Sequence, residues 1–214
     1  CDRTCHMKKA GFLLVVFFFF VWAEGASENW RDYLDNHGVG GSAPNAVRHC
    51  HGYGCRLTST VKLGKKDWAQ IAALFKPRPA TPAKERAKIA RAIGMLERKI
   101  GKQDGTESDQ PGTFRQFGND QLDCVDESTN TTTYLSLLME KKLIRHHILL
   151  APTARLPIIH AGRWPHQTAV IAETKTGAAF AVDSWFGKNG EDAHIVPLEQ
   201  WKDGWKPESD DDFY

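Results

Sequence analysis

Three side chains in this sequence have the types and the order of a thiol-based acyl-transfer centre. Cys124 sits in NDQLDCVDES, His166 opens the apolar run HQTAVIAE, and Asp183 closes AAFAVD. In such a centre the thiol is the nucleophile, the imidazole takes and returns its proton, and the carboxylate fixes the tautomer and orientation of the imidazole. The reaction this implies is attack on an amide or ester carbonyl, an acyl-enzyme, and release of the acyl group to a second nucleophile, with water as the simplest acceptor. The developing oxyanion needs donors. The Cys124 backbone N–H and the side-chain amide of Gln121 are the candidates, with Gln116 as the other glutamine in reach.

A nucleophile must be a free thiol, and the cysteine count bears on that. Lys8 and Lys9 precede an apolar run from Ala10 to Trp22, and the small residues Ala23, Gly25 and Ala26 follow. This is the layout of a secretory signal peptide, shorter in its apolar part than a spanning helix. With Met7 read as the initiator, residues 1–26 are upstream sequence and signal, and the mature protein is expected in the periplasm or outside the cell without stable membrane insertion. Cys50, Cys55 and Cys124 then remain in an oxidising compartment. The close pair is expected to form a disulfide, which leaves Cys124 free.

Local sequence both helps and opposes this thiol. Asp123 is a good N-cap and Asp126 stands three residues on, so Cys124 falls in the first turn of a helix, where backbone N–H groups favour a thiolate. Asp123, Asp126 and Glu127 oppose ionisation, so His166 has to be close. Its orientation depends on hairpin register. A four-residue loop, Thr174 to Gly177, sets Glu173 against Ala178, His166 against Trp185 and Thr168 against Asp183. His166 and Asp183 then share a face as diagonal neighbours roughly 7–8 Å apart at the backbone. A loop one residue shorter would put them on opposite faces.

The elements that carry these residues can be read from periodicity. A short helix is expected near Trp30–Leu34, a strand over Arg56–Leu63, and a helix over Trp68–Phe75 after Asp67. Thr81 as N-cap with Pro82 starts a longer helix with Ile89, Ile93, Leu96 and Ile100 on one stripe, expected to stop at Gly101. A helix follows over Cys124–Lys142, then strands near Ile144–Leu150, His166–Glu173, Ala178–Trp185 and His194–Pro197. Helices first and antiparallel strands afterwards indicate an α+β fold. The divisions expected are residues 1–26 as above, 27–65 as an N-terminal extension holding the disulfide, and 66–214 as the catalytic domain.

Lys plus Arg number 28 against 26 Asp plus Glu, a near-neutral balance that argues against a nucleic-acid partner. The acidic stretch Glu208–Asp212 reads as a solvated end. His49, Cys50, His51 and Cys55 lie within seven residues and could hold zinc or copper, but adjacent His-Cys-His side chains diverge, so a disulfide with no metal is the expectation. Trp164, Trp185, Trp201 and Trp205 could frame a groove or a core.

From Gln116 to Trp185 the chain resembles the transglutaminase-like cysteine enzymes, a branch of the papain-like fold that includes bacterial periplasmic cysteine proteinases. A cysteine at a helix start, WPHQTAVI and FAVDSWF carry the resemblance, and HGYGC is similar to a segment of uncharacterised exported bacterial members. Where bacterial relatives often have a glycine before the cysteine, this chain has Leu122 and Asp123. The resemblance implies N-terminal helices packed on an antiparallel sheet, Cys124 as nucleophile, His166 as base and then acid, Asp183 as its orienter, a protein or peptide substrate and no cofactor. Two other readings are an inactive papain-like binding module and a periplasmic metal-binding or redox protein centred on HCHGYGC.

Overall fold

In the computed structural model of the chain, the described residues are 29–113, 118–155 and 165–208. The signal-like segment, Gln116, Trp164 and the last acidic residues lie outside them. The elements are α1 (Trp30–Asn36), β1 (Val47–His51), β2 (Leu57–Val61), α2 (Lys65–Leu74), α3 (Pro82–Asp104), α4 (Cys124–Glu140), β3 (His147–Arg155), β4 (His166–Glu173), β5 (Ala179–Asp183), β6 (His194–Pro197) and α5 (Leu198–Lys202). The fold is mixed α+β. β1 and β2 form an antiparallel hairpin, and β3 to β6 form an antiparallel sheet in sequence order.

The apolar stripe foreseen for α3 is its buried face. Ile89, Ile93, Leu96 and Ile100 have no exposed surface, and they meet Tyr134, Leu135 and Leu138 of α4, Ile71 of α2, and Ile171 and Val182 of the sheet. Truncating one such isoleucine or leucine to alanine costs about 2–5 kcal/mol in a close-packed core. Val47, Val61 and Leu63 join the same core, so residues N-terminal to α2 pack against α3 and α4.

Thr81 caps α3 as expected, accepting from the Lys84 N–H at 3.3 Å, with Pro82 in the first turn. The helix does not stop at Gly101. It runs to Asp104 and ends on Gly105, whose φ of 86° is the left-handed cap conformation. Gly101 and Gly94 serve packing instead. A Cβ on Gly94 would lie 2.3 Å from the Glu191 carbonyl oxygen, and one on Gly101 2.9 Å from the Asn189 side chain. These glycines let the loop after β5 press against α3.

Two boundaries moved for identifiable reasons. β3 begins at His147, not Ile144, because the buried Glu85 carboxylate accepts from the N–H groups of Arg145 and His146 and contacts His147 Nδ1, folding those residues around itself. The strand runs on to Arg155, which pairs with His166 and donates to the carbonyls of Trp201 and Trp205. β1 was not foreseen. Its inward residues include His49 and His51, whose polarity hides the alternation; His49 lies against Asp104, and His51 bonds Asn119 and Ser59.

Candidate active site

Cys124 is the first residue of α4. The Asp123 carboxylate accepts from Val125 and Asp126, and Asp126 returns a bond to the Asp123 N–H, so the capping box is complete and leaves the Cys124 N–H unused by the cap. The thiol is free and partly buried. Burial pushes it up to about 11; Asp123 and Asp183 act in the same direction, while the N–H groups of Gln167 and of Cys124 itself favour the thiolate. Gln167 follows His166 in β4, so the thiol lies at the head of the strand that carries the imidazole.

The hairpin has the register that the four-residue loop dictates. Glu173 N–H donates to the Ala178 carbonyl at 2.9 Å, and the ladder runs Ala172 with Ala179 through Ala169 with Val182. Gly177 takes φ 73° in the turn. His166 and Asp183 therefore share a face, and His166 Nε2 donates to Asp183 Oδ2 at 2.7 Å. The same oxygen accepts from the Trp201 indole N–H at 2.7 Å, and Asp183 Oδ1 accepts from the Trp185 N–H at 3.3 Å. Burial alone would raise the carboxyl of Asp183, but His166, Trp201 and Arg155 hold it below its ordinary value.

The other imidazole nitrogen, Nδ1, is buried and has no hydrogen-bond partner among the described residues. It does not hydrogen-bond the Cys124 thiol in this state. The ring is enclosed by Trp185, Phe186 and Trp201 at centroid distances of 4.5, 5.2 and 5.4 Å. With Nε2 committed to Asp183, Nδ1 is the nitrogen left to act as a base.

Gln121 lies just before the helix, but its amide donates to the Ser108 carbonyl at 3.2 Å and contacts Asp120, while its oxygen accepts from Gln110. It fastens the 108–110 loop to the start of α4. Cys50 and Cys55 are joined as a disulfide. Among the described residues the one group of potential metal ligands is Cys50, Cys55 and Asp126, and its sulfurs are bonded to each other. His49 contacts Asp104 at 2.6 Å and His51 binds Asn119 and Ser59, so the two histidines are engaged apart.

Sequence reasoning missed the part played by Trp201. It is completely buried and bonds Asp183, so it is no groove wall; only its place in a tryptophan-rich stretch hinted at it. It also missed the carboxylates behind the site. Ser184 Oγ donates to Glu127 Oε2 at 2.5 Å and contacts Thr131, while Glu97 accepts from the Gly190 N–H. No family model, no curated protein and no solved structure matches this chain.

Proposed function

We propose that the chain is an exported cysteine-dependent acyl-transfer enzyme, an amide or peptide hydrolase acting through Cys124, His166 and Asp183. The observation that carries this reading is the His166–Asp183 bond, which leaves a buried Nδ1 with no hydrogen-bond partner among the described residues, next to the residue whose N–H meets the Cys124 thiol. The order of parts, a thiol at a helix start followed by imidazole and carboxylate on adjacent antiparallel strands, supports a papain-like, transglutaminase-like architecture. The disulfide and the signal-like N-terminus support a periplasmic or secreted location.

Because burial keeps the resting thiol protonated, the chemistry runs by general-base catalysis. His166 Nδ1 takes the thiol proton as Sγ attacks the carbonyl carbon, and Asp183 stabilises the imidazolium through Nε2–H. The oxyanion receives backbone N–H groups, with that of Cys124 at the helix start first among them. The imidazolium then protonates the leaving amine. Water, deprotonated by the same nitrogen, attacks the thioester and returns the thiol.

The raised thiol favours one competing reading, a papain-like binding module without chemistry. A p-nitrophenyl ester separates the two. The enzyme reading predicts a burst of one nitrophenolate per chain and an acyl group mapped to Cys124, both absent in Cys124→Ala; hydrolysis equal to that of the Cys124→Ala protein would leave the binding module.

A further inference from the structure

We propose that the Cys50–Cys55 bridge controls the reactivity of Cys124, with Asp126 as the positioning residue that connects them; this rests on the acyl-transfer reading above. Between the two sulfurs four consecutive residues adopt left-handed backbone: Gly52, Tyr53, Gly54 and Cys55 have φ of 78°, 69°, 66° and 54°. The glycines do so freely, whereas Tyr53 and Cys55 hold that conformation against their steric preference. The bridge closes the turn around them. Successive backbone N–H groups in such a turn converge as an anion receptacle, and its occupant is Asp126, which accepts from Cys55 at 2.6 Å and from Tyr53 at 2.8 Å.

Asp126 belongs equally to the cap of α4, where it accepts from the Asp123 N–H at 3.2 Å. One turn on, Asn130 accepts from the Cys50 N–H at 2.7 Å and donates to the Cys50 carbonyl at 2.8 Å. Residues four apart share a helix face. One face of α4 thus grips both halves of the bridge, two residues after the nucleophile. Further ties run from the Gly52 N–H to the Gln121 carbonyl and from His51 to the Asn119 carbonyl, on the segment that leads into Cys124.

Reduction breaks this arrangement at its closure. A thiolate of dithiothreitol attacks the sulfur of Cys55, the partly exposed half, and Cys50 leaves as a thiolate that takes a proton. The second thiol of the reductant resolves the mixed disulfide, so the bridge gains two electrons and two protons and the reductant becomes a cyclic disulfide. Tyr53 and Cys55 are then free to return to negative φ. Their N–H groups diverge, the buried Asp126 carboxylate loses two donors, and the first turn of α4 loosens with Cys124 on it.

The test uses the full chain, oxidised and after dithiothreitol, with two readouts: iodoacetamide alkylation mapped to Cys124 across pH, and backbone hydrogen exchange over residues 124–130. Reduction is expected to slow alkylation at pH 7 about tenfold, since a thiol without its imidazole is almost wholly protonated there, to abolish the limb of the pH profile that His166→Gln also removes, and to accelerate exchange across the first turn. Asp126→Asn, which sets an amide group against the turn's donors while leaving the bridge intact, is expected to do the same in the oxidised protein, and it decides the matter if reduction unfolds the chain. Unchanged exchange and an unchanged pH profile in both would overturn the coupling. An oxidised wild-type protein whose profile matches that of His166→Gln sinks the acyl-transfer reading instead, and exchange alone then judges the coupling.

Discussion

At the scale of single residues the site turns on one carboxylate oxygen. Asp183 Oδ2 accepts from both His166 and Trp201 while Oδ1 faces the Trp185 N–H. An amide cannot reproduce this: in either orientation of Asp183→Asn an NH2 group meets an existing N–H donor, and where that donor is His166 Nε2–H the imidazole is pushed toward the wrong tautomer. The expected result is a fall in the ester burst rate on the order of 10⁴-fold, with the near-ultraviolet tryptophan signal retained. A burst within a few-fold of wild type would show that Asp183 does not orient His166. The pairing of His166 with Asp183 could be seen in the sequence because the hairpin register decides it. Trp201 could not, because a tryptophan reads first as apolar bulk and its N–H partner depends on where α5 docks.

At the scale of elements, sequence patterns were most legible where a single local rule decided the outcome. The TKTG loop set the β4–β5 register, and Thr81 with Pro82 set the start of α3. They were least legible where distant packing overrode the rule. Gly101 reads as a helix stop, yet it lies inside α3 because the Asn189 side chain packs where its Cβ would be, as the backbone of Gly190 and Glu191 does at Gly94. Gly94→Ala should therefore destabilise the protein by about 1–3 kcal/mol, the usual cost of overpacking, although alanine is the better helix former. Urea denaturation checks this. A stabilised variant would mean that the loop yields at no cost. Thr81→Ala should cost about 1 kcal/mol by the same measurement, through the lost cap.

At the scale of the whole molecule, α4 buries an unbroken polar run, from Asp126 through Thr133, on every side of the helix. Burial, with the charges of its neighbours, lifts Asp109 to about 8 and Asp126 and Glu127 to about 7, and raises Glu97 as well. Folded values above unfolded ones mean that the native state binds more protons, so stability is greatest at low pH and falls as pH rises from about 4 through about 8. Below about pH 4 the trend reverses, because Glu85, Asp104 and Asp183 are held below their ordinary values. Melting temperature against pH should peak in mild acid and drop by several degrees toward pH 8. A profile that rises over pH 5–8 would place those carboxylates in contact with water or cations.

The central claim is that His166 activates an otherwise inert thiol, and the pH dependence of Cys124 alkylation tests it most directly. Left to burial and its acidic neighbours, the thiol ionises only toward pH 11. Neutral imidazole with thiol holds the same number of protons as imidazolium with thiolate, so either form gives an added rise well below the alkaline limb of the isolated thiol, followed by a plateau. Wild-type protein is predicted to show that rise at mapped Cys124, and His166→Gln to lose it and climb only in strong alkali. Identical single-step profiles for the two proteins, both climbing only toward pH 11, would contradict the account.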